Sequence, residues 1–360
     1  MASRPTPPHS PASSSVEETL VQSGAEEWDG DDEGAAGQVE APPEWASKES
    51  LVATADRGHR LDAWLAVLAP EYSRSHLKTL IESGCVTVDG SLVSTASRKV
   101  VPGQRIAVLL RPTAQSQAFV AEKMDLPIVY EDDALIVINK PPGMVVHPAA
   151  GNWSGTLMNG LLAHHAGASA LPRAGIVHRL DKDTSGLMVV GKTIEAVTAL
   201  SRAIADRAVR RQYVALVHGL APDAMEVDAP IGRDPVSRVR MAVQGAGKPA
   251  RTDVRCLMRT RARLDDGWGQ YSAVECTLHT GRTHQIRVHL SSKGLPLVAD
   301  VLYGGKPALG MGRQALHAFR LGFIHPSTGE ACQFESPLPS DMASAWRILQ
   351  EAAEKAATGA

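Results

Sequence analysis

Between the apolar pair Ile176-Val177 and the apolar run Leu187-Met188-Val189-Val190 the chain carries His178-Arg179-Leu180-Asp181-Lys182-Asp183-Thr184-Ser185-Gly186. This is a polar knot of cations and two carboxylates, closed by a glycine and flanked by strand-like runs. It reads as a loop held on a rigid sheet, where reactive side chains are usually presented. A fold that contains it needs a sheet with both ends of that loop anchored.

The 360 residues are 44% hydrophobic, enough for a sizeable core and for two domains, or two and a tail. The formal net charge of -2 is unevenly spread. Residues 1–50 hold eleven Asp and Glu against Arg4 and Lys48, a balance of -9, while the remaining 35 Lys and Arg and 28 Asp and Glu leave residues 51–360 at +7. A modestly basic folded part permits a nucleic-acid partner. Cys85, Cys256, Cys276 and Cys332 lie far apart without a C-x-x-C pair, so neither a disulfide framework nor a zinc ribbon is expected and a reducing cytosol fits. No stretch offers about 18 consecutive apolar residues, and the acid-rich start resembles neither a signal nor a transit peptide. A soluble, cytoplasmic protein is expected.

Residues 1–52 are rich in Pro, Ser, Gly and acids, with few large apolar side chains, and read as a disordered acidic tail. Leu61, Trp64, Leu65 and Leu68 then follow the spacing of one helical face, and Ser73 is placed to cap a second helix with Leu77, Leu80 and Ile81 inward and Arg74 and Lys78 on its outer face. Val86 and Val88 lead into Asp89-Gly90, a hairpin signal, and a further strand ends near Leu110. This helix-helix-hairpin unit spans 57–112; residues 113–125 form a linker and 126–350 a larger domain. There, Ala134 to Ile138 is a strand, Asn139-Lys140-Pro141-Pro142-Gly143 a turn, Val197, Leu200, Ile204 and Ala208 a helix face, and Ala343–Lys355 a closing helix. The mixed order of strands and helices argues for α+β with a largely antiparallel sheet.

HRLDKDTSG resembles the active-site signature of the RluA-type pseudouridine synthases. YEDDALIVINKPPGMVVHP is similar to the first block of that family and LHTGRTHQIRVHL to a later one, while RLDAWL, YSRSHLKTLIESGCVTVDG and KVVPGQRI look like an S4 RNA-binding module. GMVVHPAAGNWSGTLMNGLL and RAGIVHRLDKDTSGLMVVGKT point to the branch that modifies a stem-loop of bacterial large-subunit (23S) ribosomal RNA. The resemblance covers roughly 57–350 and implies a small S4 domain followed by a pseudouridine synthase domain, ribosomal RNA as partner, and no cofactor or metal. One departure is Ala299, where the family usually places Gly before an Asp.

Pseudouridine formation breaks the bond between uracil N1 and ribose C1′, turns the base and rejoins it through C5. A carboxylate suits this, since it can act as nucleophile or stabilise positive charge on the sugar. The resemblance makes Asp181 that group, pairs it with Arg287, and places Tyr213 beside it to stack on the base or help move a proton. Strand alternation after Thr280-Gly281 puts His284, Ile286 and Val288 on one face and Gln285, Arg287 and His289 on the other. A flipped uridine must leave its stack at a cost of a few kcal/mol, so basic residues must hold the RNA open. Arg60, Arg74, Lys78, Arg179 and Arg282 are the candidates, with Arg233, Arg238, Arg240, Lys248 and Arg251 as further contributors. Taken singly, each also reads as a solvated surface cation. The same chemistry on other large-subunit positions and a non-catalytic ribosome-assembly factor stay open as alternatives; a metal-dependent hydrolase finds no H-E-x-x-H and no shared face for His284 and His289. A monomer without membrane attachment is expected.

Overall fold

A computed structural model describes residues 46–111, 118–149, 151–237, 239–264 and 267–358. Most of the expected acidic tail, part of the linker and Arg238 lie outside the described residues.

The first unit contains β1 (Ser47–Leu51), α1 (Leu61–Leu68), α2 (Arg74–Glu82), β2 (Val86–Val88), β3 (Ser91–Leu92) and β4 (Arg105–Leu109). Its strands run in the order β1-β4-β2-β3, all antiparallel. The expected apolar faces meet in one core, where Leu61, Trp64, Leu65, Leu77, Leu80 and Ile81 close over the sheet. Ser73 caps α2 by accepting the His76 N–H at 3.2 Å. Asp89 and Gly90 both take positive φ, +51° and +80°, as a two-residue primed hairpin turn requires. The tail expectation is corrected at its end: Ser47–Leu51 pairs with β4 from Ser47↔Leu109 to Leu51↔Arg105. Ser-Lys-Glu-Ser-Leu has no apolar alternation, and backbone pairing with an open sheet edge, which composition does not report, makes the strand.

The second unit contributes β5 (Ile128–Glu131), β6 (Leu135–Lys140), α3 (Leu157–His164), β7 (Ser185–Gly191), α4 (Ile194–Ala205), β8 (Arg210–His218), β9 (Ala224–Asp228), the short pair β10 (Ile231–Arg233) and β11 (Met241–Val243), then β12 (Arg251–Leu264), β13 (Gly267–Leu278), α5 (Gln285–Ser292), β14 (Leu316–Ile324), β15 (Ala331–Glu335) and α6 (Ser340–Thr358). One large sheet runs β5-β6-β7-β14-β8-β13-β12-β9, with β15 on β14. Among the described residues only the β7·β14 pairing is parallel, so the fold is α+β and largely antiparallel, as expected.

Alternate residues of the central strands face opposite cores, since successive strand side chains point to opposite faces. Met188, Val190, Tyr213 and Ala215 share a cluster with α3 and with Ile286 and Leu290 of α5. Leu187 and Val189 pack on α4, and Val214 and Leu216 on α6. Both faces are therefore covered, which explains why β7 is buried along its whole length. Tyr213 and α5 share one face, and that common face sets the site. The expected helix face ending at Ala208 is shortened: α4 stops at Ala205 because Arg207 takes φ +61° and the Ala208 N–H turns back to Ala203 O. No helix among the described residues is long and apolar enough to cross a membrane.

The polar knot ends where β7 meets β14. Gly186 has φ +119°, and a Cβ there would lie 2.3 Å from Ala318 O and 2.6 Å from Ala318 N. Gly186→Ala must push β14 away from the loop, so we expect a loss of about 2–4 kcal/mol in urea unfolding; a variant as stable as the parent would show that this approach is not tight.

Candidate active site

The loop from His178 to Gly186 is fastened along its length. His178 is buried, and its Nε2 accepts the Val189 N–H at 3.0 Å. Burial, helped by the Arg211 cation, pushes its pKa down to about 3, so the ring is a neutral peg between loop and strand. The Thr184 N–H closes a turn onto Asp181 O. Lys140, fully buried at the end of β6, donates to the carbonyls of Pro141, Met144 and Lys182 at 2.8–2.9 Å. From the other side Arg313 donates to Asp183 O at 2.7 Å while its fork holds Asp341 at the start of α6. The two peptide groups following Asp181 are thus gripped from opposite directions.

Asp181 faces Arg287, with Oδ2 3.0 Å from Nη1. Arg287 also places Nε and Nη2 on Asp300 at 2.8 and 3.0 Å, a bidentate pair with a carboxylate only 1% exposed. Its guanidinium lies 5.0 Å from the ring centre of Tyr303, a cation–π arrangement. His284 Nε2 stands 4.0 Å from Asp181 Oδ1. Burial raises the pKa of Asp181, but His284, Arg287 and Arg179 outweigh it and hold the carboxyl at about 2. The carboxylate is ionised at neutral pH while keeping 15% of its side chain open.

That open side gives onto a cleft formed by the loop, β8 and the segment that leads into α5. Tyr213, Leu278, Ile286 and Leu316 supply apolar walls, and Arg179 and Arg282 cations, beside Asp181. A flat base fits such walls, and an anionic backbone such cations.

A family model for RNA pseudouridylate synthase matches residues 134–292, and an S4 domain matches 59–106. The chain is 50% identical over 298 residues to Ribosomal large subunit pseudouridine synthase D of Neisseria meningitidis serogroup B, covering 79% of this chain and 77% of that one. Proteins of the same name from Nitrosomonas europaea and Xanthomonas campestris are 50% and 42% identical, over 81% and 89% of this chain and 85% and 98% of theirs. The chain belongs to the RNA pseudouridylate synthase family.

In this synthase the residues named from sequence as catalytic, Asp181, Tyr213 and Arg287, line one cleft, but the local structure around Arg287 differs from expectation. Residues 285–292 are helical, not a strand. Gln285 to Leu290 are all buried, so the helix shows no polar face and its 3.6 period is hidden, while apolar residues at 286 and 288 imitate alternation. Gln285 starts it: its Oε1 accepts from Thr280 Oγ1 and the Arg282 N–H, and its Nε2 donates to Arg251 O and Thr252 Oγ1. The opposite-face argument about His284 and His289 falls with the strand. His289 is engaged elsewhere, with Thr252 Oγ1 and Ala229 O, and among the described residues no group of three or more His, Cys, Asp or Glu could hold a metal ion.

Of the candidate RNA contacts, Arg60 and Arg74 converge on the buried Asp62 of α1 at 3.1 Å with their guanidinium groups half exposed. Lys78 lies 3.6 Å from Glu82. Arg179 and Arg282 border the cleft, Arg240 lies 5.5 Å from the ring centre of Tyr303, and Arg251 pairs with Glu226 and Asp253. Asp300, Tyr303, His284, Lys140 and Arg313 were not singled out from sequence as site residues. A lysine closing the apolar run Leu135–Lys140 was the one available signal. Ala299 takes φ +60° just before Asp300, a left-handed conformation that a glycine adopts more easily.

Because the folded carboxyl of Asp181 sits below its unfolded value of about 3.9, it contributes stability above pH ~4 that is lost as pH falls through about 2. Arg287→Gln removes part of that contribution, leaving His284 and Arg179 to lower the Asp181 pKa, and leaves Asp300 buried without its counter-charge, so we expect a loss of about 3–5 kcal/mol at pH 7. Acid unfolding should set in at higher pH in the variant; parent and variant curves that coincide would contradict the ion-pair assignment.

Proposed function

We propose that the chain isomerises uridines to pseudouridine in large-subunit ribosomal RNA, with Asp181 as the catalytic carboxylate. The observation that carries this is an ionised Asp181 set 3.0 Å from Arg287 in a cleft that Tyr213 also lines. The relatives' shared name supports the RNA, and the S4 match supports a second point of attachment. An extruded uracil enters between the apolar walls and stacks on Tyr213, with the anomeric carbon toward the free oxygen of Asp181. Arg287 keeps that oxygen charged as the glycosidic bond breaks, and the enclosed cleft retains the detached base while it turns. Arg179 and Arg282 hold the opened backbone, and Arg60, Arg74 and Lys78 of the S4 unit (57–112) grip a second stretch. The catalytic unit is 126–350, joined through 113–125, and the protein works as a cytoplasmic monomer without metal, cofactor or membrane attachment.

Asp181→Asn keeps shape and removes charge. On unmodified large-subunit RNA it should form no pseudouridine while binding with affinity within about twofold of the parent. A variant that still isomerises would refute the assignment. Arg74→Gln with Lys78→Gln should lower the slope of log affinity against log salt by about 2, one for each phosphate no longer neutralised; an unchanged slope would remove the S4 surface from the RNA interface.

A further inference from the structure

Arg287 holds one oxygen of Asp181, and a carboxylate held by a single oxygen keeps a soft torsion, because its terminal bond is a broad two-fold rotor. The other oxygen faces His284, whose ring is 5% exposed. His284 takes φ +55° and ψ +22°, a left-handed conformation costly for any residue with a Cβ, at a helix N-cap where its side chain makes no capping bond. Asn, Asp, Ser or Gly would serve better there. The imidazole is instead engaged sideways: Nδ1 lies 2.8 Å from the Tyr303 hydroxyl, with the two rings edge to face. That hydroxyl accepts the Met241 N–H of β11 at 2.9 Å, and burial pushes the phenol up to about 12, so it keeps its proton.

These partners decide which nitrogen carries hydrogen. When Tyr303 donates to Nδ1, the neutral ring has its hydrogen on Nε2, aimed at Asp181. A doubly protonated ring has it there as well. The remaining form would turn a lone pair toward a carboxylate and deprive the buried phenol proton of its acceptor, and is disfavoured on both counts. The 4.0 Å from Nε2 to Oδ1 is longer than a hydrogen bond, an electrostatic contact that favours one setting of the carboxylate.

We propose that His284 is a positioning residue for the isomerisation, presenting Nε2–H to Oδ1 of Asp181 so that, with Arg287 on Oδ2, both carboxylate oxygens are fixed before the uridine arrives. The inference rests on Asp181 being the catalytic group. Tyr303 and the Met241 N–H set the proton on His284. Charged groups that also face this unit, among the described residues, include Arg287 and Asp300, Arg179 on the loop, and Arg240 over the Tyr303 ring.

The test is single-turnover isomerisation of unmodified large-subunit RNA, read as tritium release from uridine C5, with RNA affinity and thermal unfolding measured on the same full-length variants. His284→Phe keeps a ring but has no donor, and should slow the step about 10- to 100-fold with RNA affinity within about twofold. It should also move the acid limb of the pH–rate profile upward, since Asp181 loses one of the groups that keep it ionised. His284→Gln carries an amide N–H that reaches the place of Nε2, and should recover part of the rate. Tyr303→Phe leaves residue 284 untouched and should cost about tenfold with the same upward move. Rates that fall only in step with affinity or folded fraction, with the acid limb unmoved, would overturn the proposal, as would Gln performing no better than Phe. If His284→Phe does not fold, Tyr303→Phe decides alone, and parental rate and profile there overturn it. Asp181→Asn run alongside separates the two readings: activity in that variant refutes the catalytic assignment, whereas failure of this inference shows only in the His284 and Tyr303 series.

Discussion

Arg287 lies between two carboxylates, and the placement of Asp181 in the cleft depends on that arrangement. Asp300, almost fully enclosed, takes two of the guanidinium's donors in a planar fork, which leaves the third edge only one direction in which to point. Asp181 occupies it. An arginine paired with Asp181 alone would bring a flexible side chain to a flexible carboxylate; the buried bidentate pair removes that freedom, because a guanidinium is rigid and cannot lose its proton. A second carboxylate near Asp181 would by itself favour protonation. The surplus is countered by Arg179 and His284, so the site keeps an ionised acid in a partly dry place, where its charge acts over a shorter and less screened path than in water.

Precision at one end of a loop is of little use if the other end moves. The polar knot is pinned by His178 at its start, by Lys140 and Arg313 on successive carbonyls after Asp181, and by the close approach of Gly186 to Ala318 at its end. Each tie reaches a different part of the sheet or the helix behind it, so a shift of the loop would have to break several buried interactions together. Holding reacting groups in this way is a large source of rate when both partners are ordered beforehand. Here the enzyme's half of the geometry is built before RNA binds.

How much of this was legible in the sequence follows from which forces act locally. α1, α2, the Asp89-Gly90 turn and α6 were readable because one exposed and one buried face leave a periodic trace. Asp181, Tyr213 and Arg287 were readable through family motifs, and the structure brings them to one cleft. The helix carrying Arg287 was not, since a short helix buried on all sides has no polar stripe and Ile286 and Val288 happen to alternate. Ser47–Leu51 was hidden because pairing with a distant edge made it a strand. Lys140 and Arg313 matter through partners 42 and 130 residues away, which no local window contains, while Asp300, only 13 residues from Arg287, was read as part of a local turn.

If Asp181 is the catalytic acid, the chemistry on ribosomal RNA in the cell depends on it alone. Pseudouridines of large-subunit RNA can be mapped in cells whose only copy of the gene encodes either the natural chain or Asp181→Asn at equal abundance. We expect one uridine, or a small group within one stem-loop, to be modified with the natural chain and unmodified with the variant, while every other pseudouridine stays the same. Identical maps from the two strains would contradict it.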